Sequence, residues 1–131
     1  MLKTTIYFVL IKKYYFIMLP EKNRLKKRSA FAATYRTGKS FHKDGITMFV
    51  GKEKTNDCPT KFGFVVSKKI HKRAVKRNRI KRLMRESIRL ILKENSIPDK
   101  YISIIFVASS KLTDKKFIEI DEGIKRLVAK L

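Results

Sequence analysis

The sequence is short of almost everything that builds a conventional enzyme site. One of its 131 residues is cysteine, Cys58, so no disulfide closes within the chain and no cysteine cluster can hold a metal. That suits a reducing compartment. The two histidines, His42 and His71, stand in unrelated contexts, without the spacing that metal ligands adopt on a helix. Tryptophan is absent, and there are three prolines and five glycines; neither a glycine-rich phosphate loop nor a low-complexity linker is present. Acids number eleven against 33 lysines and arginines. Apart from Asp121-Glu122 they are scattered singly, and no carboxylate pair or nucleophile-base-acid set emerges. No stretch approaches the roughly twenty apolar residues of a membrane-spanning helix.

What the chain does have is charge of one sign. A formal net charge of +22 on 15.4 kDa implies self-repulsion that a polyanionic partner would relieve, so polyanions should raise the melting temperature. Apolar residues still make up 44% of the chain, enough for one folded domain with a modest core.

The basic residues concentrate in one stretch. Residues 68–89 hold eleven lysines or arginines and a single acid, Glu86. Within it Ile80, Leu83, Met84, Ile88 and Ile91 recur at helical spacing. On a helical wheel Leu83, Met84, Ser87, Ile88, Leu90 and Ile91 fall within about 80° of Ile80, while Asn78, Lys81, Arg82, Arg85 and Arg89 occupy the opposite arc. The spacing predicts a helix over residues 73–94, about 33 Å long, with one flank anchored and one flank of guanidinium groups. Arginine stays charged and grips phosphate oxygens bidentately. A solvated surface helix would alternate charge signs to gain i,i+4 pairs, and this one does not. Charge alone does not separate nucleic acid from an anionic membrane or an acidic protein.

These residues carry a resemblance. Lys68-Lys69, then Arg73-Ala74-Val75-Lys76-Arg77-Asn78-Arg79-Ile80-Lys81-Arg82 and Arg85-Glu86, resemble the Arg-Asn-Arg signature of the bacterial ribonuclease P protein subunit. Leu19-Pro20-Glu21-Lys22-Asn23-Arg24-Leu25-Lys26-Lys27 is similar to that family's opening. Phe62-Gly63-Phe64-Val65-Val66-Ser67 is similar to its strand entering the signature. The likeness runs from about residue 18 to the C-terminus. One departure is Ile70-His71-Lys72-Arg73, which stands where other members have a shorter glycine-containing turn and alters the expected entry of the helix.

Residues 1–17 read differently. Apolar Ile6-Tyr7-Phe8-Val9-Leu10-Ile11 is interrupted by Lys12-Lys13 before Tyr14-Tyr15-Phe16-Ile17 resumes, which fits neither a spanning helix nor a signal peptide. The expectation is a misassigned start, with Met18 the first residue of a domain over residues 18–131; an apolar element lying on the domain is the other reading. Beyond it, residues 22–28 form an irregular basic arm, and Ser29 caps a helix over 30–37 that Gly38 stops. Strands are expected over 39–42, 46–51, 61–66 and 101–108, with a turn at Asp44-Gly45. A last helix, capped by Thr113 or Asp114, runs to residue 130. The order α-β-β-β-α-β-α predicts an α+β single domain, a mixed four-stranded sheet packed by helices.

The resemblance adds what the residues do not show. It implies a left-handed βαβ crossover through the basic helix, against the usual right-handed rule. It implies a cytoplasmic subunit of an endoribonuclease that removes the 5′ leader of precursor tRNA, with the chemistry carried by a catalytic RNA and its Mg²⁺. The protein then supplies no catalytic residue and no metal ligand, and requires no protein partner or membrane. On this reading Lys68, Lys69, Arg73, Arg77, Asn78, Arg79, Lys81, Arg82, Arg85 and Arg89 bind the RNA subunit through phosphate and sugar contacts. For Arg77, hydrogen bonding to carbonyls at the helix entrance is the other role. Phe31 and Tyr35, at i and i+4, join Phe49 in a cleft for the single-stranded leader; ordinary core packing is the alternative for all three. Two other functions fit parts of the pattern: a ribosomal-type protein clamping rRNA, and a peripheral membrane protein using residues 1–17.

Overall fold

Asp44 and Gly45 both take left-handed backbone, φ 52° and 84°, as a two-residue hairpin turn requires. They join β1 (Ser40–Lys43) to β2 (Ile46–Val50) in the computed structural model, which describes residues 19–69 and 72–131. Strand β2 pairs antiparallel with β4 (Ser103–Ala108), and β4 pairs parallel with β3 (Lys61–Val65), giving the order β1-β2-β4-β3. A parallel pair needs a long crossover, and α2 (Ala74–Lys93) provides it. Helix α1 (Arg28–Arg36) precedes the sheet and α3 (Phe117–Val128) closes the chain. The α+β architecture, one mixed sheet packed by helices, is the one expected.

Alternation along the strands assigns the two faces. Ile46, Met48 and Val50 of β2, with Ile104 and Phe106 of β4, are fully buried. They form one cluster with Ile80, Met84, Ile88 and Ile91 of α2 and Ile120, Ile124 and Leu127 of α3. Each such side chain contributes about 1.5–3 kcal/mol by leaving water, so the apolar flank of α2 is held firmly. Helix α1 packs on β2 and β4, over the opposite face.

Several local expectations are corrected. The basic arm is irregular only over residues 25–27: Glu21–Asn23 form a 3₁₀ turn, and Arg24 makes a parallel bridge to Phe62 at the β3 edge. Asn23 Nδ2 donates to the Thr60 carbonyl at 2.9 Å, and the Leu25 amide donates to the Phe62 carbonyl at 2.9 Å. Ser29 is not a cap. The amides of Ala30 and Phe31 both donate to the Lys27 carbonyl, which starts α1 two residues earlier with no side-chain cap. Thr113 and Asp114 do not cap α3 either. A 3₁₀ turn, Ser110–Leu112, tucks Leu112 into the core first, and the helix begins at Phe117 after Lys116. The proposed start at Met18, the segment before it, and Ile70 and His71 of the divergent turn lie outside the described residues.

Candidate nucleic-acid interface

With Ile80, Met84 and Ile88 sealed, the other flank of α2 turns outward. Asn78 and Arg82 are exposed there, and Arg79, Lys81 and Arg85 are half-buried. Arg73 precedes the helix as an exposed N-cap residue, and Lys68 and Lys69 are exposed after β3. Arg79 donates from Nη2 to the Lys115 carbonyl at 3.1 Å, which ties the flank to the segment before α3. Arg77 donates from Nη1 to the Lys72 carbonyl at 2.9 Å, the helix-entrance role considered for it.

Arg85 and Arg89 part company. The helical wheel puts Arg89 on the cationic arc, but it is buried and donates from Nε and Nη2 to Glu86 at 3.1 and 2.6 Å. The wheel gives direction only; a guanidinium with a carboxylate three residues back can leave water as a neutral pair. Among the described residues Arg85 makes no ion pair, Glu86 being taken by Arg89. Burial pushes its guanidinium below the ordinary value, and the neighbouring charges of Arg24 and Arg82 push it further. Three like charges thus meet on half-covered ground, which favours an anion from outside. Sequence reasoning missed Arg24, because only the Phe62 bridge and the Arg24 Nε bond to the Leu19 carbonyl, 2.7 Å, carry it to this flank.

A second surface lies across the sheet. Phe31 and Tyr35 of α1 and Phe49 of β2 stand outside the sealed core cluster, where α1 packs on the sheet. Phe31 sits over Gly63 of β3. The Tyr35 and Phe49 rings meet edge to face, centroids 4.9 Å apart, an attractive geometry. Tyr35 remains 39% exposed, and burial of its other side raises the phenol above its usual value. Helix α1 covers only part of this face. Next to Phe49, the register places Thr47, Val107 and Val65 in one row, all half-buried. His42 pairs with Thr47 at the outer end of that row, Nδ1 and Oγ1 2.9 Å apart. The result is a shallow apolar trough edged by aromatic rings, suited to flat, stackable groups.

Seven of the eleven acids are in ion pairs, among them Glu21 with Lys26, Asp44 with Arg126, Asp99 with Lys54 and Asp121 with Lys125. Among the described residues no group of three or more histidines, cysteines or carboxylates stands where it could hold a metal ion. No described helix is long and apolar enough to cross a membrane.

A profile of the family described as Ribonuclease P matches residues 19–131. The ribonuclease P protein component of Clostridium kluyveri is 36% identical over 107 residues, covering 82% of this chain and 92% of that protein. That of Clostridioides difficile is 38% identical over 104 residues, covering 79% and 87%. Among solved structures, the RNase P protein of Staphylococcus aureus superposes with a TM-score of 0.70 at 28% identity, over 82% of this chain and 94% of that one. The RNase P protein of Thermotoga maritima gives 0.70 at 25% identity, over 82% and 96%. Matched along both its basic helix and its sheet, the chain belongs to the ribonuclease P protein family.

Proposed function

We propose that this chain is the RNA-binding protein subunit of a cytoplasmic ribonuclease P, docking on the catalytic RNA through α2 and holding the 5′ leader of precursor tRNA in the trough beside α1. The observation that carries the reading is the two-sidedness of α2: Ile80 and Ile88 fully buried, Arg82 exposed and Arg85 in no ion pair among the described residues. Lys68, Lys69, Arg73, Asn78, Arg79 and Lys81 extend the same cationic surface, and Arg77 borders it. Contacts of this kind go to phosphates, tolerate any sequence and weaken steeply with salt. Phe31, Tyr35 and Phe49 offer ring faces to the leader bases. Endonucleolytic cleavage belongs to the RNA and the Mg²⁺ it holds; the protein contributes binding and orientation. The pairing of seven of its eleven acids with lysines and arginines supports that division.

Reconstitution tests it. The purified chain is added to a ribonuclease P RNA at low Mg²⁺ and precursor cleavage is followed. Stimulation, with release of the mature 5′ end, is expected. No stimulation, together with co-sedimentation on ribosomes, would instead select an rRNA-binding protein.

A further inference from the structure

Helix α1 meets the sheet at two positions that carry no side chain, Gly63 and Gly51. At Gly63, a Cβ would fall 2.6 and 2.8 Å from two atoms of the Phe31 ring and 3.2 Å from Leu25 Cδ2. Side chains never approach that near, so the ring can rest where it does only because the strand carries no Cβ there. One strand over, the Thr34 and Ser103 hydroxyls hydrogen bond at 2.5 Å. A Cβ at Gly51 would come within 2.5 Å of that Ser103 oxygen, so this contact also depends on a bare position. Thr37 Oγ1 closes the far end by donating to the Val50 carbonyl at 2.5 Å. The height of α1 over the floor is therefore fixed at three points, and Phe31 is the one whose ring also borders the trough.

We propose that Gly63 is a positioning residue of the leader cleft: its missing Cβ seats the Phe31 ring at the level of the floor formed by Phe49, Thr47 and Val107. This rests on the cleft reading given above. A methyl at Gly63 displaces the ring toward the trough and takes it out of the plane in which a base can stack. The change is local, because Gly63 faces away from the cluster that anchors α2, leaving the cationic flank in place.

The test is a double-variant cycle on the full chain, assembled with the RNA subunit. Gly63→Ala, Phe31→Ala and the combination are compared for affinity toward leader-bearing precursor and leaderless tRNA. Gly63→Ala alone should weaken leader-dependent binding about tenfold, the scale of one lost stacking contact. Affinities for leaderless tRNA and for the RNA subunit should stay at the parental values. With Phe31 already Ala, the Gly63→Ala change should cost little further, since the ring atoms it would strike are gone and only the end of the Leu25 side chain, 3.2 Å away, has to give slightly. Additive losses, or equal losses on both tRNAs, overturn the assignment. So does a leader-specific loss for Phe31→Ala with none for Gly63→Ala. Unchanged leader affinity in Phe31→Ala overturns the cleft reading itself and the Gly63 role with it. Should Gly63→Ala fold poorly, the double variant decides: a folded double variant with the affinity of Phe31→Ala sustains the proposal, and one equally unfolded overturns it.

Discussion

On one face of the sheet, Ile46, Met48, Val50, Ile104 and Phe106 disappear entirely under two helices; on the other, Phe49, Thr47, Val107 and Val65 stay half-covered beside one short helix. The strands supply apolar side chains to both. The difference lies in what is laid over them. Helices α2 and α3 bring long apolar stripes that close the first face, whereas α1 docks through a glycine, two hydroxyl contacts and the edge of an aromatic ring. A closed face yields stability and a rigid mount for the arginines. An incompletely closed face leaves ring surface and floor available to a ligand, as binding clefts require.

If that contrast is right, substitutions on the two faces should fail differently. The largest effect is expected for Ile88→Ala, which opens a cavity in the sealed cluster and should cost about 2–5 kcal/mol of stability, read by urea denaturation. Binding to RNA subunit and to leader should then fall together, and an effect on one alone would break the comparison. Phe31→Ala on the open face should cost about 1–3 kcal/mol of binding to leader-bearing precursor while urea stability changes little. A stability loss matching that of Ile88→Ala would return Phe31 to the core.

A smaller and sharper contrast lies on α2 itself, where Arg85 and Arg89 stand one turn apart. Arg85→Ala should lower the magnitude of the salt slope for RNA-subunit binding by about one, with no loss of stability, because an uncompensated repulsion with Arg24 and Arg82 is relieved. Arg89→Ala should leave the slope unchanged and destabilise by about 1 kcal/mol, since Glu86 loses its partner. Reversal of the two results would mean that the pairing with Glu86 opens when RNA binds. The smallest effect is expected at Asp99. The hydrogen bond from Lys54 holds its carboxyl below the ordinary value of 3.8. Its contribution is therefore complete above that pH and is lost as pH falls through the lowered value. Asp99→Asn should flatten the acid limb of a stability profile below about pH 4 and leave neutral pH untouched; an unchanged limb would show the pair contributes nothing.

Residue by residue, local signals read well and crowded neighbourhoods read badly. Asp44-Gly45 announces its turn because positive φ suits those side chains, and the periodicity from Ile80 to Ile91 announces both the helix and its buried stripe. Ser29, Thr113 and Asp114 misled because many hydroxyls and carboxylates can cap, and only the path of the chain selects where a helix starts. Arg89 misled because a wheel has no partners in it. Arg24 was invisible as a neighbour of Arg85, 61 positions away in sequence, until the bridge to Phe62 joined the opening segment to the sheet.

The amino-acid order by itself determined a basic amphipathic helix, a hairpin, an α+β chain and the likeness to one family, since periodicity, turn chemistry and charge are properties of neighbours along the chain. Only the tertiary structure decided which arginines keep their charge uncompensated, that Phe31, Tyr35 and Phe49 lie outside the sealed core, and that Gly63 seats a ring. Those outcomes depend on strand register and on which helix covers which face, and contacts across space are settled by the whole packing rather than by any local stretch.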